Sequence, residues 1–150
     1  MNFNNILQNH VLWTGLAGWL LAQVLKIPID TIREHRWNWA LFFTAGGMPS
    51  SHSCLVTSTA MAVGLHVGFD TPLFAVAVAL AMVVVYDATG VRRQAGIQAQ
   101  TINILVEELL KGHPISEQRL REVLGHTPLE VMGGVLLGML VAVGLWLLWH

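Results

Sequence analysis

Charge is scarce in this sequence. Only 11% of its 150 residues are charged and 54% are hydrophobic, whereas roughly 25% of the residues in an ordinary soluble domain are charged. So few charges cannot cover a surface that faces water, and the composition therefore predicts an integral membrane protein. The formal net charge of -1 provides no basic field for nucleic acid, so we expect no nucleic-acid partner.

The sequence has a single cysteine, and its N-terminus does not resemble a cleavable signal peptide. The single cysteine, Cys54, lies in an apolar run, which excludes an intrachain disulfide and predicts a packed thiol. The N-terminus lacks the basic residues that begin a cleavable signal peptide, so we expect the first apolar segment to remain in the mature protein. No internal repeat is present, and the length predicts one membrane domain, residues 1–150.

Four apolar segments are present, at about 11–25, 54–69, 73–86 and 131–149. A helix needs roughly 20 residues to cross the hydrocarbon core, so the first three must extend through polar flanks or cross a thinned bilayer. The helical spacing of residues 97–111 adds an amphipathic helix, lying on the membrane or packed on the bundle. Ser116 and Gly125 are typical of the start and end of another short helix. We therefore predict an all-α polytopic membrane helix bundle with about four spanning helices.

The charged residues fall on one side of this arrangement. With alternate crossings, the end of the first span, the start of the second, the end of the third and the start of the fourth share one membrane face, here called face A. All eight Lys and Arg residues lie there, as do all of the nine acids except Asp70. The positive-inside rule predicts that face A is cytoplasmic.

Cations at two span ends are candidates for anion binding. Lys26 and Arg33 are seven residues apart, so in a helix their side chains point the same way. They are either anion ligands or interfacial cations that snorkel to the headgroups. Asp87 precedes Arg92 and Arg93, which either place a guanidinium on a phosphate, with Asp87 orienting it, or simply flank a span.

Residues 46–53 precede the second span and are rich in suitable polar groups. The glycines allow the backbone to approach a ligand, and a helix N-terminus offers N–H groups to an anion. Ser50 and Ser51 add hydroxyls, and His52 adds a group that exchanges protons near neutral pH. A glycine turn with a serine N-cap is the structural alternative.

His126 and Glu130 begin the fourth span, four residues apart. One helical turn would let the carboxylate orient the imidazole. Thr127 and Glu130 also form a capping box with Pro128 at the first helical position, so Glu130 is alternatively only a cap. Cations, N–H donors, a nucleophile and an acid are the groups that phosphoryl transfer needs. No acid-rich cluster indicates a divalent metal, and we expect neither metal nor cofactor.

These motifs resemble a known family. Pro49-Ser50-Ser51-His52 resembles the Pro-Ser-Gly-His motif of the type-2 phosphatidic acid phosphatases, which are related to the vanadium haloperoxidases. His126-x-x-x-Glu130 resembles the His-x-x-x-Asp end of their third motif, and Lys26 and Arg33 have the spacing of their first. With Gly-Gly-Met-Pro-Ser-Ser-His and Asp-Ala-x-Gly-Val-Arg-Arg, the whole chain resembles the divergent bacterial and plant branch of that superfamily.

The resemblance implies a membrane phosphatase that acts, without a metal, on a lipid phosphate or diphosphate. It implies that His126 is the nucleophile and forms a phosphohistidine, that Glu130 orients it, and that His52 protonates the leaving group. The implied phosphate ligands are Lys26, Arg33, Ser50, Ser51, and Arg92 or Arg93. The implied location is a bacterial inner membrane or a plastid-type membrane, among membrane lipids.

The sequence also departs from the family pattern. Ser51 replaces the motif glycine, Glu34 follows Arg33 where the family has proline, and Glu130 replaces aspartate. Four spans in place of the usual six are an argument for a homodimer that completes the site. A non-catalytic protein that binds or transports phosphorylated lipid, or a helical scaffold, therefore stays as an alternative.

Overall fold

The computed structural model describes residues 4–35, 37, 39, 42, 47–89, 91–109 and 126–149. Within them lie the helices α1 (Asn4–Leu7), α2 (His10–Glu34), α3 (Ser51–Val67), α4 (Pro72–Thr89), α5 (Val91–Leu109) and α6 (Pro128–Trp149). These residues contain no strand, and the predicted all-α membrane bundle is confirmed. The short helix predicted between Ser116 and Gly125 falls outside the described residues.

Helix α2 extends beyond the apolar segment at 11–25 into its polar flanks, which is one of the two predicted alternatives. Asn9 caps it by accepting a hydrogen bond from the Leu12 N–H at 3.0 Å, and the helix continues through Pro28. It ends at His35, which has a left-handed φ of 54° and donates its N–H to the Thr31 carbonyl. Proline removes one helical hydrogen bond, and here that loss does not end the helix.

Three helical stretches in the described part of the chain are long and apolar enough to cross a membrane: His10–Ile32, Pro72–Thr89 and Pro128–Trp149. Helix α3 has 17 residues, or roughly 26 Å at 1.5 Å per residue, against a hydrocarbon core of about 30 Å. We predicted four spans, and α3 does not meet this criterion. It packs against α2, α4 and α6, so its surface meets protein rather than lipid and needs less apolar length.

Small residues allow α3 to fit between its neighbours. A Cβ added at Gly18 of α2 would lie 2.5 Å from Ser58 Oγ, and one at Gly138 of α6 would lie 2.7 Å from the Cys54 carbonyl oxygen. The Cys54 thiol is buried and donates to the Gly18 carbonyl oxygen at 3.1 Å. The predicted packed thiol is therefore confirmed, and close backbone approach holds the bundle together. The buried residues of α3 are Ser51, Ser53, Cys54, Thr57, Ser58, Ala60, Ala62, Val63 and Gly64.

Contacts along α3 show which helix ends lie together. Lys26 of α2 reaches the first residue of α3, whereas the His10 ring stacks on His66 near the other end, so α2 and α3 are antiparallel. Gly134 of α6 lies against the N-cap of α3, and Trp149 lies near His66, so α6 runs parallel to α3. The end of α2 and the starts of α3 and α6 therefore share one end of the bundle. Helix α4, antiparallel to α3 after a short turn, ends there too. This is the grouping predicted for face A.

Helix α5 contains most of the predicted amphipathic helix at 97–111, but it begins earlier, at Val91. The helix it chiefly packs against is α4. Ile102, Ile104, Leu105 and Val106 are all at least 45% exposed. Because these apolar side chains are not covered by the bundle, the structure favours the membrane-surface alternative over packing on the bundle.

Candidate functional site

The segment before α3 is joined to the start of α6. Gly47 has a φ of 91°, a left-handed conformation that favours glycine. Ser50 then caps α3, its Oγ accepting a hydrogen bond from the Ser53 N–H at 3.3 Å. The backbone N–H of Ser50 donates to the Glu130 carbonyl oxygen at 2.9 Å. Two motifs that are 80 residues apart in the chain are therefore one structural unit.

Gly134 makes this junction possible. A Cβ at this position would collide with the carbonyl oxygen of Ser50 and lie 3.0 Å from the Cβ of Ser53. A backbone oxygen cannot rotate away as a flexible side chain can. The start of α6 reaches the N-terminus of α3 because residue 134 has no side chain.

Lys26 projects from α2 into the same junction. Its side chain is 1% exposed, and its Nζ donates to Ser51 Oγ at 3.3 Å. A buried ammonium is costly without partners, and it has three donors to offer. The burial argues against a cation that snorkels to the headgroups and places a positive charge beside the start of α3.

His126 and Glu130 fit both interpretations of their sequence motif: Glu130 orients the His126 imidazole and also belongs to a capping box. Glu130 Oε2 lies 3.0 Å from His126 Nδ1 and accepts a hydrogen bond from the Thr127 N–H at 3.1 Å. The Glu130 N–H lies 3.4 Å from Thr127 Oγ1, which completes a capping box. Because a carboxylate only accepts hydrogen bonds, Nδ1 carries the proton in this contact. In the neutral ring Nε2 then holds a lone pair, so the cap also selects the tautomer.

A second imidazole faces His126 from α3. The ring centroids of His52 and His126 are 6.3 Å apart, with the ring planes tilted by 57°. His126 is buried, whereas His52 is half-buried. At this separation both rings can contact one small anion, and Lys26 and the hydroxyls of Ser50 and Ser51 lie at the same end of the bundle.

The structure describes the remaining predicted site residues only in part. Asp87 is half-buried in the last turn of α4, at the same end. The side chains of Arg33, Arg92 and Arg93 lie outside the described set, although their backbones belong to α2 and α5. The described residues also contain no group of three or more His, Cys, Asp or Glu side chains arranged to hold a metal.

Gln23 was missed by the sequence analysis. It lies one turn before Lys26 on the buried face of α2 and is 6% exposed. Its Nε2 donates to the Phe42 carbonyl oxygen at 2.7 Å, and its Oε1 has no donor among the described residues. A polar residue three positions before a candidate lysine, inside an apolar run, is the signal that would have identified it.

Comparisons with known proteins show which family this chain is similar to. The family model described as "Divergent PAP2 family" matches residues 7–141. A relative from Bacillus subtilis (strain 168), described as "Uncharacterized membrane protein YuiD", is 42% identical over 147 residues. The alignment covers 91% of this chain and 93% of the relative. No solved structure matches. The predicted resemblance to a divergent branch of the PAP2-related superfamily is confirmed, as is the membrane location.

Proposed function

Because the chain belongs to the Divergent PAP2 family, we propose that it is a membrane phosphatase that hydrolyses a lipid phosphate or diphosphate. The observation that carries the proposal is the hydrogen-bonded pair of His126 and Glu130 facing His52. A buried lysine lies beside the first turn of α3. Together these groups can supply a nucleophile, a proton donor and a positive charge for the phosphoryl oxygens.

In the first step, Nε2 of His126 attacks the phosphorus. A P–N bond forms as the P–O bond to the lipid breaks, and the protonated His52 gives its proton to the departing oxygen. The lipid leaves as an alcohol, or as a monophosphate if it entered as a diphosphate. Glu130 stabilises the positive charge that develops on the His126 ring through its contact with Nδ1.

In the second step, the neutral His52 takes a proton from a water molecule whose oxygen attacks the phosphorus. The P–N bond breaks, inorganic phosphate leaves, and both histidines return to their starting states. Lys26, Ser50, Arg33, and Arg92 or Arg93 would bind the phosphoryl oxygens throughout. Most of the rate enhancement in such a reaction comes from holding the reacting groups in position and from stabilising charge.

The decisive experiment measures phosphate release by purified protein from a panel of lipid phosphates, with and without a chelator. His126→Ala is tested beside His10→Ala, an exposed histidine at the opposite end of the bundle. We expect chelator-insensitive release that is lost in His126→Ala and retained in His10→Ala. Release by His126→Ala at the parental rate would refute the nucleophile, and no release from any lipid would refute the phosphatase.

One observation favours a second function. Ser51 stands where the family motif has glycine, and its hydroxyl accepts a hydrogen bond from Lys26. A lysine engaged in this way can still bind an anion while the backbone is hindered from approaching it. The alternative is a protein that binds or transports phosphorylated lipid without hydrolysing it. Binding of lipid phosphate by the parent without turnover by any variant would support it.

We also propose that the site faces the cytoplasm, in a bacterial inner membrane or a plastid-type membrane. The charges on face A support this orientation through the positive-inside rule. A cysteine introduced at Arg119 in a Cys54→Ala background should react with an impermeant thiol reagent only after the cells are opened. Reaction in intact cells would place face A outside.

A further inference from the structure

The candidate site lies too close to the opposite end of the bundle for a bilayer of ordinary thickness. At that end the rings of His10, His66 and Trp149 lie together, and tryptophan is typical of the membrane interface. Ser51 and His66 are fifteen positions apart on α3, which is about 23 Å along the helix axis. The hydrocarbon core is about 30 Å thick. With the ring cluster at one boundary of the core, Lys26 and Ser51 lie roughly 7 Å short of the other.

Helix α4 is the shortest of the three stretches that can cross the membrane, and it exposes the most surface to lipid. Its stretch has 18 residues, against 23 in α2 and 22 in α6. Of its most apolar residues only 6% are buried, against 39% in α2 and 22% in α6. Asp87 ends its uninterrupted apolar run, which begins at Leu73 and covers about 20 Å. Lipid beside α4 therefore meets an apolar length roughly 10 Å shorter than the core.

The apolar run of α4 ends at the height of the candidate site, measured along the bundle axis. Helices α3 and α4 are antiparallel neighbours joined by residues 68–71. Ala88 is sixteen positions after the start of α4 and Ser51 is sixteen before the end of α3, so the two are level. Tyr86 is 75% exposed, and tyrosine is typical of the membrane interface. The interface beside α4 is therefore close to the height of Lys26.

We propose that the bilayer is thinned beside α4 on face A, and that this thinning brings lipid phosphates to the height of Lys26 and His126. The inference rests on the proposed function for the position of the phosphate. On the other side α2 continues past Lys26 to Glu34, about 12 Å further along the axis, so headgroups there lie above the site. The free-energy cost of such a mismatch is modest for each ångström. The lipid phosphate therefore enters the site over the end of α4.

Two spin labels at matched heights test the thinning. Tyr86→Cys on α4 and Leu136→Cys on α6, each in a Cys54→Ala background, place a nitroxide at an exposed position. Both positions lie within about 3 Å of the height of Ser53, because Gly134 contacts Ser53. Depth is measured in vesicles from relaxation of the nitroxide by oxygen and by a water-soluble nickel chelate. We expect the label on α4 to be at least about 4 Å shallower than the label on α6.

Two results of this measurement overturn the inference. Equal depths would mean that the bilayer is flat around the bundle. A label on α4 that is shielded from both reagents would mean that a protein partner, such as a second copy, covers this helix instead of lipid.

The second measurement is phosphate release from one lipid phosphate in vesicles whose lipids carry 14, 18 or 22 carbons in each chain. We expect release to fall at least roughly threefold from the thinnest bilayer to the thickest, because deeper thinning costs more. Equal release in all three would also overturn the inference. A shallow label on α4 without release in any bilayer would instead support the thinning and refute the phosphatase.

Discussion

Two pairs of histidines lie at opposite ends of the bundle, and their surroundings differ. His10 and His66 stack with ring centroids 5.3 Å apart, and Trp149 packs against His10 with a centroid separation of 4.4 Å. His52 and His126 are farther apart, at 6.3 Å, but Glu130 orients His126. Proximity of two imidazoles is therefore a poor sign of chemistry by itself. The orienting carboxylate and the buried Lys26 distinguish the candidate site.

The largest expected effect comes from removing the negative charge of Glu130, one of the two features that distinguish the candidate site from the other histidine pair. Glu130→Gln retains an oxygen that can accept the Thr127 N–H but removes the negative charge beside His126. We expect kcat for phosphate release to fall roughly 10³- to 10⁴-fold, by analogy with triads that lose their acid, while thermal stability changes little.

Glu130→Ala is the companion variant. It removes the cap as well, so it should lose the same activity and also about 1 kcal/mol of stability. If Glu130→Gln remains active, Glu130 acts only as a helix cap.

Replacing His52 should have a somewhat smaller effect that depends on the leaving group. If His52 protonates the departing oxygen, His52→Ala should lower kcat about 10²- to 10³-fold for an alkyl phosphate. The loss should be much smaller for 4-nitrophenyl phosphate, whose leaving group needs no proton. His66→Ala, at the opposite end, should leave both rates unchanged. Equal losses on both substrates would assign His52 to binding instead of proton transfer.

Two glycines of α6 offer a matched test of how the candidate site is built. Gly134→Ala forces a methyl group against the Ser50 carbonyl oxygen and should lower stability by about 1–3 kcal/mol. Gly144→Ala enters open space and should be neutral or slightly stabilising, because alanine is the better helix former. Thermal unfolding in detergent measures both. A Gly134→Ala protein as stable as the parent would mean that the junction is loosely packed.

The smallest expected effect concerns the residue that departs from the family motif. Ser51→Gly removes the hydroxyl that accepts a hydrogen bond from Lys26, which leaves the ammonium more available to phosphate. We expect KM to fall about three- to fivefold with kcat unchanged, given roughly 1 kcal/mol for such a bond. Ser58→Gly, on the same helix but packed against Gly18, should not lower KM. An unchanged KM in Ser51→Gly would mean that the hydroxyl does not compete with the ligand.

Much of this arrangement could be predicted because helix ends are visible in the chain. The capping box at Thr127 and Glu130 and the serine cap at Ser50 mark where α6 and α3 begin. Alternate crossing then requires these ends to share one face. The first apolar segment, at about 11–25, extends through its polar flanks as α2, because the hydrogen bond missing at Pro28 is tolerated within a long packed helix. The second predicted span, α3, has 17 residues and packs against α2, α4 and α6, so it needs less apolar length than a helix that faces lipid.

The sequence by itself determined the membrane class, the helix boundaries near the motifs, and the family, because these depend on composition, local capping and motif spacing. The tertiary structure alone decided that Ser50 donates to the Glu130 carbonyl, and that Lys26 and Gln23 are buried. It also decided that the N-terminus of α3 packs closely against Gly134, whereas the space beside Gly144 is open. The physical reason is that these features depend on how each helix is rotated and shifted against its neighbours. Close packing of small residues sets that rotation and shift, and no single segment encodes them.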